Sequence, residues 1–236
     1  METELKMRFA RDEQRLAFWV DSWVQSLVLP DSSQITTMLS RYYDTAGRLL
    51  TRNMASLRIR KENDRRIATI KLNQAKNHDL GLHQRHEWSV DLDGDVEGDG
   101  DSFIDNPEQG LDAAWFMRSA SSDGDPDDPL RSLLQEIDGQ ALDEICQADF
   151  TRESCDIGYG DSLMELAFDQ GELQAGGLSE PIAELEIELK EGDVRDLIDL
   201  GNDLRSRFDM IPESRSKYAR CLDLLRQMQA AEPDAR

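Results

Sequence analysis

Glu2-Thr3-Glu4-Leu5-Lys6, continued by Met7, Arg8 and Phe9, reads as a strand with two unlike faces. Successive strand side chains point to opposite sides. Glu2, Glu4, Lys6 and Arg8 therefore share one face, and Leu5, Met7 and Phe9 share the other. Such a strand fits a sheet covered on both faces, whose charged side lines a wet cavity that holds an ion or a charged ligand. The design returns near the other end of the chain, where Glu184, Glu186, Glu188 and Lys190 alternate with Leu185, Ile187 and Leu189. Basic strands lie between the two. Leu57-Arg58-Ile59-Arg60 places two guanidinium groups on one face, Ile67–Leu72 adds Lys71, and Arg85-His86-Glu87-Trp88 sets Arg85 beside Glu87. Any one of these strands could be an exposed amphipathic strand. Several of one design, with acids and bases on different strands, point to a common charged lining.

Composition narrows the functional classes. The 236 residues carry a formal net charge of −22, which speaks against a general nucleic-acid binder. The charge is uneven: Asp91–Leu130 holds thirteen acidic side chains against Arg118 alone. Away from that stretch a narrow cavity can still be locally positive. Cys146, Cys155 and Cys221 form no C-x-x-C pair, so a structural zinc site is not expected and a reducing cytoplasm is. The N-terminus lacks the apolar core of a signal peptide, and no run has the roughly 18 apolar residues of a membrane span.

Hydrophobic spacing predicts a strand over 2–9 and a helix over 11–29, with Leu16, Trp19, Val20, Trp23 and Leu27 apolar and Pro30 as its stop. Short strands follow near 34–44, 55–62, 66–72 and 83–90, with a turn at Glu62-Asn63-Asp64. The stretch 91–128 reads as an acidic flexible insert in which Ala113–Met117 docks a helical turn. Asp93-Gly94-Asp95 opens like a calcium loop, but Ile104 stands where the bidentate Glu is needed. A second helix is expected over 129–147, then strands at 149–157 and 162–168, a hairpin turn at Asp169-Gln170-Gly171-Glu172, and strands near 172–176 and 182–190. Gly192-Asp193 caps a helix through Phe208, and a last helix covers about 216–231.

These motifs together resemble the CYTH domain of the triphosphate tunnel metalloenzymes. The resemblance rests on Glu2-x-Glu4-x-Lys6, Tyr42-Tyr43-Asp44-Thr45, Leu57–Arg60, Thr69-Ile70-Lys71, Arg85-His86-Glu87, Glu165–Asp169, Glu184–Glu188 and Ser216-Lys217, in that order. It spans residue 2 to about 222. It implies an α+β fold, an eight-stranded antiparallel β-barrel tunnel with helices packed outside, forming one domain over 1–222; residues 223–236 finish the last helix and tail. Many bacterial relatives carry a helical CHAD domain next, for which this chain leaves no room.

The resemblance also implies a chemistry: metal-dependent hydrolysis of inorganic triphosphate, or a related small triphosphate, with Mg²⁺ or Mn²⁺. Arg58, Arg60, Lys71, Arg85, Arg152 and Lys217 would grip phosphate oxygens, since Arg offers paired donors and Lys a point charge. Glu2, Glu4, Glu87, Glu165, Glu184, Glu186 and Glu188 would be the metal ligands, because carboxylates repel a polyanion unless a cation lies between. Glu2 and Glu4 would serve the attacking water, and Lys6 would orient it. Glutamine at Glu4 or Glu186 is expected to leave the fold intact and to relieve like-charge repulsion. Asp169 is assigned to a turn, and Tyr42 and Tyr43 to packing. The chain departs from the family at Ser89, where relatives often carry an acid, and at Ser216–Cys221, where the usual S-K-x-E-R-G ending is altered. Thiamine triphosphatase, class IV adenylyl cyclase and a non-catalytic binder of polyphosphate or nucleotide remain the alternatives. No nucleic-acid or membrane partner is expected, and a homodimer stays open.

Overall fold

A computed structural model describes residues 2–11, 13–73, 81–93, 112–119 and 129–231. Its frame is one antiparallel sheet built from β1 (Glu2–Phe9), β2 (Gln34–Thr45), β3 (Ala55–Glu62), β4 (Arg65–Asn73), β5 (Leu82–Asp91), β6 (Leu142–Tyr159), β7 (Ser162–Ala175), β8 (Leu178–Glu191) and the short β9 (Met210–Pro212). The order is β5-β4-β3-β2-β6-β7-β8-β1-β9, and β1 also pairs with β5. That pairing closes eight strands into a ring, as expected for the tunnel fold. Closure leaves β1 with partners on both sides: β8 along Glu4–Met7, and β5 followed by β9 on the other edge. Lys6 bridges the step between β5 and β9, its N–H donating to Gly81 O and its carbonyl accepting from Glu213 N–H, both at 2.9 Å.

The outward faces are covered by helices. α1 (Glu13–Val20), α2 (Ser22–Leu27) and α6 (Val194–Phe208) pack against β1 and the second half of the sheet, around Phe18, Phe168, Leu185, Leu197 and Leu200. α3 (Leu49–Arg52), α4 (Ala113–Ser119) and α5 (Pro129–Ile137) cover β2–β5 around Leu57, Ile70 and Trp88. α7 (Lys217–Ala231) lies over β6–β8 with Cys221 and Leu224 inward. An apolar strand face covered by a helix buries both, which is why the alternate charged face is left to the interior.

Four expected elements differ. The helix over 11–29 is two helices: Asp21 is extended and caps α2, accepting from Trp23 N–H at 2.9 Å and Val24 N–H at 3.2 Å. The break resets the helical phase, so Phe18 and Val24 are buried while Leu16 and Val20 are exposed. The helix over 129–147 stops at Ile137, because Gly139 takes a positive φ of 69° and β6 starts at Leu142. The strands at 162–168 and 172–176 are one strand, β7, and Asp169 lies buried within it. The hairpin turn sits instead at Gly176-Gly177, both with positive φ, as a tight hairpin requires. The helical turn at Ala113–Met117 is present as α4, with Ala113 and Phe116 buried. Most of the acidic stretch 91–128, including the calcium-like loop after Asp93, lies outside the described residues.

Candidate functional site: a charged tunnel

The tunnel-facing side chains follow from register. Glu4 stands opposite Glu188, which stands opposite Glu165, so β1, β8 and β7 place three carboxylates in one row. Lys6 stands opposite Glu186 one step along. On the far side of the ring, Arg58 pairs with Tyr42 across β3–β2, and Lys71 with Glu87 across β4–β5. Together these residues line a cavity of about 490 Å³ that also includes Glu2, Ser56, Arg60, Phe150, Arg152, Ser216, Lys217 and Tyr218. Of the expected site residues whose side chains are described, Glu184 is not in that lining. Glu184 is buried behind Lys217. Arg85 stands opposite Glu2 in β5, and its side chain lies outside the described residues.

One end of the cavity is a buried ion network. Lys217 Nζ donates to Asp169 at 2.6 Å, to Glu186 at 2.9 Å and to Glu184. Arg152 grips Asp169 with two bonds of 2.7 Å and also reaches Glu186. Lys6 donates to Glu186 at 2.6 Å and lies 3.6 Å from Glu4. Arg220 binds Glu184 at 2.9 Å from behind. Lys6, Arg152, Lys217 and Arg220 thus face Glu4, Asp169, Glu184 and Glu186, with Glu180 and Glu165 at the margins of the network. Burial alone would raise the Glu186 carboxyl, but Lys217, Lys6 and Arg152 outweigh it and hold it well below the usual range. Burial would lower Lys6, yet Glu186 and Glu4 hold it above its ordinary value. Lys6 is therefore an ammonium at neutral pH: a donor, not a base.

Asp169 is a site residue that the turn assignment hid. Its oxygens, with those of Glu184 and Glu186, lie within 4.8 Å of one another, a spacing that a metal could use. The Lys217 ammonium already bonds all three. Glu2, Glu4, Glu165 and Glu188 also line the cavity, with Glu2 bonded to Lys71 at 2.8 Å and Glu188 paired with Lys190. Burial pushes the Glu188 carboxyl up, and although Lys190 at 3.0 Å opposes this, Glu2 and Glu165 add to the rise. A carboxyl raised by burial and like neighbours gains from a divalent cation, so Glu188 is a candidate metal ligand. Glu186 could join only if a lysine withdrew.

The opposite wall is short of anions. Arg58 has no carboxylate within 4.0 Å among the described residues, and its buried Nε has no partner. Arg60 pairs with Glu62 at 2.5 Å but also leaves its Nε without one. Burial and the adjacent Arg58 charge pull Arg60 down to about 10, still protonated at neutral pH. Lys71 is neutralised by Glu2 at 2.8 Å and Glu87 at 2.7 Å. Lys71 in turn overcomes the effect of burial and holds Glu87 at about 2. A half-buried guanidinium with no carboxylate partner and a buried, unbonded Nε is costly, and Arg58 therefore favours an anionic occupant.

This closed antiparallel barrel, with a charge-lined interior and its helices outside, defines a tunnel fold. The CYTH domain profile matches residues 1–222, and the chain belongs to the CYTH-domain family. An inorganic triphosphatase of Haemophilus influenzae is 30% identical over 181 residues, covering 76% of this chain and 43% of that protein. The chain thus spans less than half the length of this curated relative. Among solved structures, a putative adenylyl cyclase from Hippeastrum, described as having dominant triphosphatase activity, is similar with a TM-score of 0.61 at 17% identity, over 94% of this chain and 96% of that one. A protein of Pyrococcus horikoshii OT3 is similar with a TM-score of 0.51 at 18% identity, over 95% and 99%. The two structures share the fold.

Proposed function

We propose that this protein hydrolyses inorganic triphosphate to pyrophosphate and phosphate, with Mg²⁺ or Mn²⁺ held by carboxylates of the row Glu4, Glu188 and Glu165. The observation that carries the reading is Arg58. Among the described residues it has no carboxylate partner and a buried, unpartnered Nε, and it is set across the ring from a row of carboxylates. One wall asks for an anion and the other for a cation, and a triphosphate with a divalent metal supplies both. The homology to an inorganic triphosphatase supports the same class.

Phosphoryl transfer needs positioning and charge neutralisation more than covalent chemistry. Arg58 and Arg60 would hold the phosphate chain, and Lys6 would donate a hydrogen bond beside Glu4. The metal, when bound, would offset carboxylate–phosphate repulsion and acidify a water. Water attacking a terminal phosphorus would form the new P–O bond as the bridging P–O bond breaks, giving phosphate and pyrophosphate and releasing its proton to solvent. Tyr42, Phe150 and Tyr218 also line the cavity, an aromatic group that the sequence did not show. Their faces are committed: Tyr218 packs on Tyr42 at 5.3 Å between centroids, and Lys217 lies 4.9 Å from the centre of the Phe150 ring. They leave little for a nucleobase or thiamine. The test is a substrate panel of inorganic triphosphate, ATP, thiamine triphosphate and long polyphosphate with Mg²⁺ or Mn²⁺. Phosphate release from inorganic triphosphate should dominate. Equal turnover of ATP, or cyclic AMP as product, overturns the proposal.

A further inference from the structure

The Tyr42-Tyr43-Asp44-Thr45 motif contains a buried acid that phosphate chemistry leaves unused. Asp44 is 0% exposed. Its Oδ1 accepts from Thr45 N–H at 2.8 Å and Leu50 N–H at 2.9 Å. Its Oδ2 accepts from Thr51 N–H at 3.0 Å and Thr51 Oγ–H at 2.6 Å. The Thr51 hydroxyl lies 2.7 Å from the Tyr218 phenol. A carboxylate only accepts, so the Thr51 proton points at Asp44. The Tyr218 O–H must then donate to Thr51, and the order of donors along the chain is fixed. Successive bonds that end on a charge strengthen one another in a buried setting.

We propose that Asp44 is a positioning residue that fixes the first turn of α7 at the end of the tunnel through Thr51 and Tyr218. The proposal rests on the triphosphatase reading and adds how that site is assembled. Ser216 and Lys217, next to Tyr218, line the cavity. Ser216 caps α7, its hydroxyl accepting from Ala219 N–H at 3.1 Å, so the positive end of a 15-residue helix faces the tunnel. The other anchors of α7 belong to the second half of the sheet: Arg220 to Glu180, Glu184 and the Pro181 carbonyl, and Cys221 and Leu224 against β6–β8. Tyr218 ties α7 to α3 through its phenol and to β2 through its ring on Tyr42, beside the apolar packing of Cys221 and Leu224 in a cluster that includes Met38 and Tyr42. Tyr42 stands beside Arg58 in register. The relay therefore sets the distance between the Lys217 end and the arginine wall, across which a triphosphate must reach.

Thr51→Val removes the hydroxyl at nearly constant shape, Tyr218→Phe removes the donor, and Thr51→Ser restores the link. Hydrogen exchange in the intact protein should be about tenfold faster at the amides of 217–221 in the first two variants and unchanged elsewhere. Their KM for inorganic triphosphate should rise about tenfold while kcat moves little, and Thr51→Ser should behave as wild type. Uniformly faster exchange with a lower melting temperature, or an unchanged KM in both variants, overturns the proposal by leaving Asp44 a purely structural role. Absence of triphosphate hydrolysis in the wild type would instead defeat the functional reading. The exchange at 217–221 would then decide the relay alone: local acceleration supports it, and none overturns it.

Discussion

At the scale of the residue, neighbours decide what each tunnel charge does. Arg58 is unpaired, so its loss should be read in substrate binding. Arg58→Ala is expected to raise KM for triphosphate by the worth of a charge-assisted contact, about 1.5–3 kcal/mol, with the fold unchanged. Steady-state kinetics beside a melting curve check this. Glutamine at the glutamates should not act uniformly. Glu186 has a depressed pKa, so it adds stability above the ordinary carboxylate range, and that stability is lost as pH falls through its folded value. Glu186→Gln strips one acid from Lys6, Arg152 and Lys217, and is expected to cost on the order of 3–5 kcal/mol. This reverses the relief of repulsion expected from sequence. Glu188 has a raised pKa, so its charge costs stability at neutral pH. Glu188→Gln should raise the metal-free melting temperature and weaken Mn²⁺ binding. Calorimetry of both variants at pH 7 separates the roles; a Glu186→Gln protein as stable as wild type would refute the network assignment.

At the scale of the element, β7 shows where local sequence misleads. Asp169-Gln170-Gly171-Glu172 has turn chemistry, yet β7 runs through it, paired with β6 and β8 on both sides. Gly171 is needed there for space. A Cβ at Gly171 would lie 2.1 Å from the Asp149 carbonyl oxygen and 2.5 Å from Phe150 Cα. Gly171→Val is expected to cost about 1–3 kcal/mol or more through backbone displacement of β6, and to loosen Arg152, two residues along. A chemical melt checks the first effect; an unchanged midpoint would show that the strands can part without cost. The same continuity carries Asp169 into the buried ion network at the end of the cavity. Strand alternation made the lining glutamates and arginines legible, because period-2 patterning survives any closure of the sheet. The 129–147 error has the opposite origin: Leu142 and Ile145 fit helical spacing as well as a strand pairing across a bulge near Tyr42 and Tyr43.

At the scale of the molecule, the barrel joins two halves whose link includes the acidic stretch after β5. Phe116 in α4 is fully buried against the first half, so that stretch cannot be treated as one dispensable insert. Replacing residues 94–111 with Gly and Ser of equal length is expected to leave triphosphate turnover unchanged. Phe116→Ala should destabilise by about 3–5 kcal/mol. Activity assays and melts on the two variants check the division; loss of turnover in the first, with the barrel still folded, would give the acidic stretch a functional part.

The sequence alone determined the strand faces, the segregation of acids from bases between strands, and hence a charged interior. These follow from side-chain alternation and from the cost of leaving apolar faces uncovered. Only the tertiary structure decided the pairing of those charges. Ring closure brings Lys217 from the last helix among Asp169, Glu184 and Glu186, leaves Arg58 without an acid, and ties Asp44 to Tyr218 across 174 positions of chain. Electrostatic partnership depends on distances of a few ångströms between residues far apart in sequence, and no local pattern encodes those distances.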